Sequence, residues 1–167
     1  MGDDYSNPAP IILDEKGFTV VGVACRTSNA REMTSDGLIG KQWERFQQEN
    51  MLGRITKRLN DNVLAVYTDY ASDKDGEYTF LIGAKVSSAE QLPAGMVTKQ
   101  VPAGRYAVFI SERGAAARVV PATWMRIWRL PRSAPGGDRA YHADYELYDQ
   151  RAADPQNAQV EIHVGIK

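Results

Sequence analysis

Tyr67-Thr-Asp-Tyr70, followed by Ile82-Gly-Ala-Lys85, has a counterpart in Tyr145-Glu-Leu-Tyr148, followed by Val164-Gly-Ile-Lys167. A tryptophan on a helix-like stretch lies upstream of each copy, Trp43 in one and Trp124 in the other. The chain therefore reads as a duplication of a unit of about 80 residues, roughly half the molecule. Aligned on these motifs, Trp43 should superimpose on Trp124, Tyr67 on Tyr145 and Gly83 on Gly165. Glu146 then stands where the first copy has Thr68, a carboxylate on one side only of the groove that two related halves would form.

Working outward, Phe18 to Ala24 is rich in β-branched residues and reads as a first strand, with Gly22 marking a bend or a close approach of another backbone. From Leu38 to about Asn50, Ile39, Trp43 and Phe46 recur at helical spacing, and Gly53 lies just beyond as a stop. Asn62 to Tyr70 and Glu77 to Val86 form a hairpin around the Ser72-Asp-Lys-Asp-Gly76 turn. The second half repeats the order: strands at Met96 to Val101 and Arg105 to Ile110, with Pro102-Ala-Gly104 as a kink rather than a reversal. A helix follows in which Pro121 suits the first turn, Trp124, Ile127 and Trp128 share a face, and Pro131 ends the element. Ser133 to Asp138 is a loop, and Tyr141 to Asp149 with Gln159 to Ile166 make the second hairpin. The expected fold is α+β, a tandem strand-helix-strand-strand duplication forming a curved antiparallel sheet with two helices and a central cleft. Residues 1–16 are expected to be a flexible arm and 17–167 one domain, with repeats at about 17–86 and 96–167.

Composition narrows the function. The formal net charge of -1 with both signs interspersed removes the concentrated basic surface that phosphate binding needs. Arg54, Lys57 and Arg58 read as a solvated turn, and Arg126, Arg129 and Arg132 as an exposed helix face. Cys25 is the single cysteine, so no intramolecular disulfide or thiolate metal cluster forms, which fits a reducing compartment. The acidic N-terminus lacks signal-peptide character, and no apolar run reaches membrane-spanning length. The expectation is a cytoplasmic protein without a membrane partner.

His142 and His163 are the two imidazoles, and neither matches a recognised nucleophile arrangement. Gly37-Leu-Ile-Gly40-Lys41 lacks the length and the Ser/Thr of a phosphate-binding loop. His142, Asp144 and Glu146 alternate on one strand face without a second cluster, which reads as a partly exposed strand edge, not a metal site. Neither metal nor cofactor is expected. What remains is a carboxylate among rings. By period-2 alternation Glu146 shares a face with Tyr148, while Tyr145 and Leu147 point the other way. Trp43, Phe46, Tyr67, Tyr78, Tyr106, Trp124, Trp128 and Tyr141 could converge on the same cleft, although a ring at such a spacing more often serves the core. Aromatic faces attract organic cations, and a carboxylate held with little water adds a Coulomb attraction. An unpaired buried carboxylate costs several kcal/mol, so Glu146 must reach solvent, meet an arginine or serve a ligand.

Val101-Pro-Ala-Gly-Arg-Tyr-Ala-Val-Phe109, the helix Pro121-Ala-Thr-Trp-Met-Arg-Ile-Trp128, Asp144-Tyr-Glu-Leu-Tyr148 and the closing Gln159 to Lys167 resemble the GyrI-like family, also called the AraC-type effector-binding domain. The resemblance covers residues 17–167 and implies the tandem fold, with Glu146 as the acidic residue of the central pocket. Members that regulate multidrug responses bind lipophilic cations there. Transcription-factor members carry a helix-turn-helix module before this domain, whereas here about 16 residues precede the first strand, so direct DNA binding is not expected. Stand-alone members include small-molecule binders, antagonists of DNA gyrase, and hydrolases that open cyclopropane rings of DNA-alkylating compounds. The resemblance thus implies a binder of a hydrophobic cationic or aromatic small molecule, serving drug sensing or sequestration. The alternatives are a gyrase-interacting protein, or a hydrolase in which Glu146 acts as base with Tyr106 or Tyr148 as the hydroxyl partner.

Overall fold

The computed structural model describes residues 9–131 and 137–167, so residues 133–136 of the sequence-expected loop from Ser133 to Asp138, together with Arg132, lie outside the described residues. Eight strands, β1 (Ile11–Glu15), β2 (Phe18–Ser28), β3 (Val63–Thr68), β4 (Glu77–Val86), β5 (Val97–Val101), β6 (Gly104–Ile110), β7 (Arg139–Tyr148) and β8 (Glu161–Ile166), form one antiparallel sheet. Among the described residues four α-helices accompany it, α1 (Asn29–Glu32), α2 (Ile39–Gln48), α3 (Met51–Arg54) and α4 (Ala116–Arg129), with a 3-10 turn at Gln150–Ala152. The fold is the expected α+β one, with β2-α2-β3-β4 in one half and β6-α4-β7-β8 in the other.

Strand order across the sheet is β1-β6-β8-β7-β3-β4-β2-β5. The strand that leads each half is therefore paired with the other half: β1 runs into β2 yet pairs with β6, and β5 runs into β6 yet pairs with β2. In a flat sheet β1 and β2 would stand six strand spacings apart, about 29 Å at about 4.8 Å each. Only Lys16 and Gly17 join them, a reach of about 11 Å. The sheet must curl until its ends meet, and the two connections cross in contact. A Cβ added to Gly17 would stand 3.0 Å from the Ala103 nitrogen and 3.1 Å from the Val101 oxygen. Gly22 opposes Gly83, and a Cβ on Gly22 would lie 2.0 Å from the Ile82 oxygen. The close approach expected at Gly22 is thus between two strands at a strongly coiled part of the sheet.

Two expectations give way. Residues 11–15 are a strand and not part of a loose arm; Ile11, Ile12 and Leu13 remain exposed, because the backbone ladder to β6 holds them more than burial does. The second helix begins at Ala116, with the Ala115 carbonyl accepting from the Val119 N–H at 2.9 Å. Pro121 therefore lies inside the helix on an exposed position, where its missing N–H leaves the Ala117 carbonyl without a helical donor.

One face of the sheet carries the helices. Val21, Val23, Phe80, Ile82 and Ala84 pack there with Phe46 of α2, and Ala107, Phe109, Val160, Ile162 and Val164 with Trp124 and Ile127 of α4. The opposite, inner face of the curl is filled by Val20, Leu64, Val66, Leu81, Tyr106 and Tyr145. At the middle, β3 meets β7 with Ala65 directly across from Glu146. A twofold axis normal to the sheet at this pair carries Tyr67 onto Tyr148, and the same spacing separates Trp43 from Trp124. It also brings the Lys16-Gly17 connection onto Pro102-Ala103, through the β3–β4, β2–β4, β7–β8 and β6–β8 registers. The motif-based alignment of Tyr67 with Tyr145 fails, because such an axis preserves faces. Tyr67 points to the helices and Tyr145 to the inner face. By the same registers Gly83 corresponds to His163, not Gly165, and Glu146 corresponds to Ala65, not Thr68.

Candidate functional site

Strand β7 delivers Glu146 to the centre of the helix-bearing face, where it is 2% exposed. Three neutral donors close on it. The Tyr67 hydroxyl donates to Oε2 at 2.6 Å, the Trp124 indole N–H donates to the same oxygen at 2.7 Å, and the Tyr148 hydroxyl donates to Oε1 at 2.6 Å. Among the described residues, no cation stands among the groups that shift Glu146. Burial pushes its pKa above the ordinary carboxylate value, and the three hydrogen bonds pull it part of the way back. Burial beside Glu146 also drives the Tyr67 and Tyr148 hydroxyls upward, so both remain donors. Among the described residues, Glu146 meets neither bulk solvent nor an arginine.

The rings around it form two groups that meet at Glu146, one through Tyr67 and Trp124 and one through Tyr148. Tyr67 lies 5.2 Å from Trp124, 5.1 Å from Phe80 and 5.4 Å from Tyr78, and Trp43 lies 4.8 Å from Tyr148, all between centroids. Phe46 backs Trp43 at 6.4 Å from within the core. Tyr78 is buried with its hydroxyl donating to Asn29 Oδ1 at 2.9 Å, so its ring alone faces Tyr67. Trp128 lies one turn beyond Trp124, 6.2 Å away and 39% exposed. Tyr141 reaches the group through Tyr70 at 5.7 Å. Tyr106 does not join it: it sits on the inner face, its hydroxyl donating to the Pro102 carbonyl at 2.7 Å, so it is removed from the set around Glu146.

Asp144 shares the helix-bearing face two residues before Glu146, and both are buried, so the expected exposed strand edge is not what forms. A register irregularity between Arg139 and Asp144, with Tyr141 at φ 53°, turns the start of β7 so that Arg139 pairs with Asp144 at 2.7 Å. Gly165 N–H donates to Asp144 Oδ1 at 2.9 Å, and the Tyr70 hydroxyl donates to Oδ2. Sequence reasoning passed over Ala65, Tyr70, Phe80, Arg139 and Asp144. For Asp144 and Tyr70 a signal existed, since both belong to the duplicated motifs and Asp144 shares the parity of Glu146. Ala65 is legible only once the β3–β7 register is known.

What the arrangement offers chemically is a desolvated carboxylate held by three neutral donors among aromatic rings. No helix among the described residues is long and apolar enough to cross a membrane. Comparison with known proteins agrees with the fold. YobU of Bacillus subtilis (strain 168), named a transcriptional regulator protein, is 36% identical over 156 residues, covering 93% of this chain and 94% of that protein. The integron cassette protein VCH_CASS2 from the mobile metagenome of Vibrio cholerae superimposes with a TM-score of 0.78 at 28% identity, covering 96% of this chain and 97% of that one. SAV2435, whose structure holds tetraphenylphosphonium, superimposes with a TM-score of 0.77 at 18% identity, covering 96% of this chain and 94% of that one. The family model for integron-associated effector-binding proteins, Cass2, matches residues 12–166, and the chain belongs to this family of effector-binding proteins.

Proposed function

We propose that the protein binds lipophilic cationic aromatic compounds on the helix-bearing face, with Glu146 as their counter-ion, and serves in drug sensing or sequestration in the cytoplasm. The observation that carries this reading is the buried carboxylate satisfied by neutral donors alone: Tyr67, Trp124 and Tyr148 stabilise its charge without neutralising it. A hydrogen-bonded carboxylate ringed by aromatic faces is costly in an empty protein and gains most when a weakly hydrated cation arrives. The tetraphenylphosphonium held by the like-folded SAV2435 supports the same ligand class. Titration with tetraphenylphosphonium, followed through tryptophan fluorescence because Trp43 and Trp124 both border the site, tests it: saturable quenching that Glu146→Gln weakens is expected, and no saturable change refutes it.

One contact favours a second reading. Tyr148 Oη stands 2.6 Å from Glu146, a hydroxyl–carboxylate pair able to activate water or polarise a leaving oxygen in hydrolysis of a strained electrophile. Water addition to a spirocyclopropane alkylator beyond one equivalent, read by mass spectrometry, would establish it. Stoichiometric protection without product leaves the binder.

A further inference from the structure

Beside Glu146 the chain already holds one cation in the way proposed for the ligand. The Arg139 guanidinium lies 4.4 Å from the Tyr141 ring centroid and 5.9 Å from that of Trp124, the same indole that donates to Glu146. Its counter-ion Asp144 is 0% exposed and takes hydrogen bonds from the Gly165 N–H and the Tyr70 hydroxyl. The two sites share a buried carboxylate, a tyrosine hydroxyl on it and aromatic faces nearby, while Glu146 takes a second hydroxyl and an indole N–H where Asp144 takes a backbone N–H. The occupant differs as well. Yet Arg139 fits its place incompletely, since its Nε is buried and finds no acceptor among the described residues. A groove of about 170 Å³ bordered by Ile127, Trp128, Arg139 and Tyr141 adjoins it, with the opposite charges of Lys74 and Asp138 also on its lining.

We infer that Arg139 is a built-in occupant of a second cation subsite centred on Asp144, and that by filling it the side chain restricts the ligand to one positive charge. This rests on the reading of Glu146 as the ligand's counter-ion. Asp144 and Glu146 are two residues apart on one strand face, so their backbone positions are separated by about 7 Å. With Arg139 in place, the three charges Asp144, Glu146 and Arg139 sum to one negative charge, which a monocation neutralises. Without Arg139 the face carries two carboxylates at a spacing that fits a rigid aromatic dication. Arg139 is thus a specificity-determining residue.

The test uses matched probes, benzyltrimethylammonium and p-xylylene-bis(trimethylammonium), each measured by displacement of tetraphenylphosphonium. The wild-type protein should prefer the monocation. Arg139→Met, which keeps apolar bulk and removes the charge, should shift the dication-to-monocation affinity ratio by at least about tenfold toward the dication. Adding Asp144→Asn to that variant should return the ratio to the wild-type value, and Arg139→Lys should leave it there. If Arg139→Met does not fold, Arg139→Gln, which retains N–H donors for Asp144, is read in its place with the same expectation. A folded charge-removed variant with an unchanged ratio overturns the inference while tetraphenylphosphonium binding stands. Loss of tetraphenylphosphonium binding in the wild type would instead bring down the reading of Glu146 itself.

Discussion

Replacing Glu146 with glutamine removes one charge and little else. The amide oxygen can still accept from Tyr67 and Trp124, and the amide nitrogen can donate to Tyr148, whose hydroxyl turns from donor to acceptor. The lost term is Coulombic. For a ligand charge about 5 Å from the carboxylate, an effective dielectric constant of about 20 gives about 3 kcal/mol, or a loss on the order of 100-fold in affinity. Tetraphenylphosphonium and its neutral relative triphenylphosphine oxide, measured by isothermal titration on both proteins, separate charge from shape. The cation should weaken by about two orders of magnitude and the neutral compound by less than about threefold. The empty protein gives an independent check. Because the folded pKa of Glu146 is raised, the folded state binds more protons than the unfolded one between the ordinary carboxylate value and that raised value. The contribution of Glu146 to stability is therefore most favourable at low pH and declines as pH rises through the folded pKa. Relative to wild type, the glutamine variant should gain thermal stability across that rise. Equal affinity losses for cation and neutral ligand would refute the counter-ion reasoning.

Further outcomes follow from the same geometry. Affinity of the wild-type protein for tetraphenylphosphonium should fall, with proton release on binding, as pH drops through the raised Glu146 pKa; a flat profile from titrations across mildly acidic pH contradicts this. Tyr67→Phe deletes one hydrogen bond to the ionised carboxylate, so the pH midpoint of that profile should move up by about one unit. Ala65→Leu places bulk directly across the ladder from Glu146 and should cut cation affinity at least about tenfold while costing about 1 to 3 kcal/mol in denaturant titration; unchanged affinity would place the ligand elsewhere. Gly22→Ala should destabilise by more than about 4 kcal/mol, because its Cβ would lie 2.0 Å from a carbonyl oxygen, and an ordinary melting temperature would mean that the strands separate easily there.

The duplication was legible because Trp43 and Trp124 keep their spacing and the hairpin turns carry strong turn residues. Its register was not. Matching Tyr67-Thr-Asp-Tyr70 to Tyr145-Glu-Leu-Tyr148 aligned identical letters, whereas pairing between strands decides which side chains share a face. Tyr67 and Tyr148 correspond, and both donate to the same carboxylate. Period-2 alternation correctly put Glu146 with Tyr148 and against Tyr145, since β7 is regular at that point. It could not foresee the irregularity near Tyr141 that brings Arg139 back onto Asp144. Tyr106 was misassigned because aromatic character carries no information about which side of a sheet a ring occupies; the inner face of the curl needs large side chains as much as a cleft does. The strand at Ile11–Glu15 has no alternation to find, because backbone pairing with the other half's β6 defines it.

The exchanged leading strands bear on how one carboxylate came to stand alone. With β1 given to one half and β5 to the other, each half completes its partner's sheet in the manner of a strand-swapped homodimer later joined end to end. In such an ancestor the positions now held by Ala65 and Glu146 would be the same residue from two subunits, facing each other across the dimer axis. A glutamate there would have met its own copy, two like charges in cross-strand contact without water. Covalent linkage of the halves frees the two positions to differ, so that this pair carries one glutamate opposite an alanine in place of two facing carboxylates.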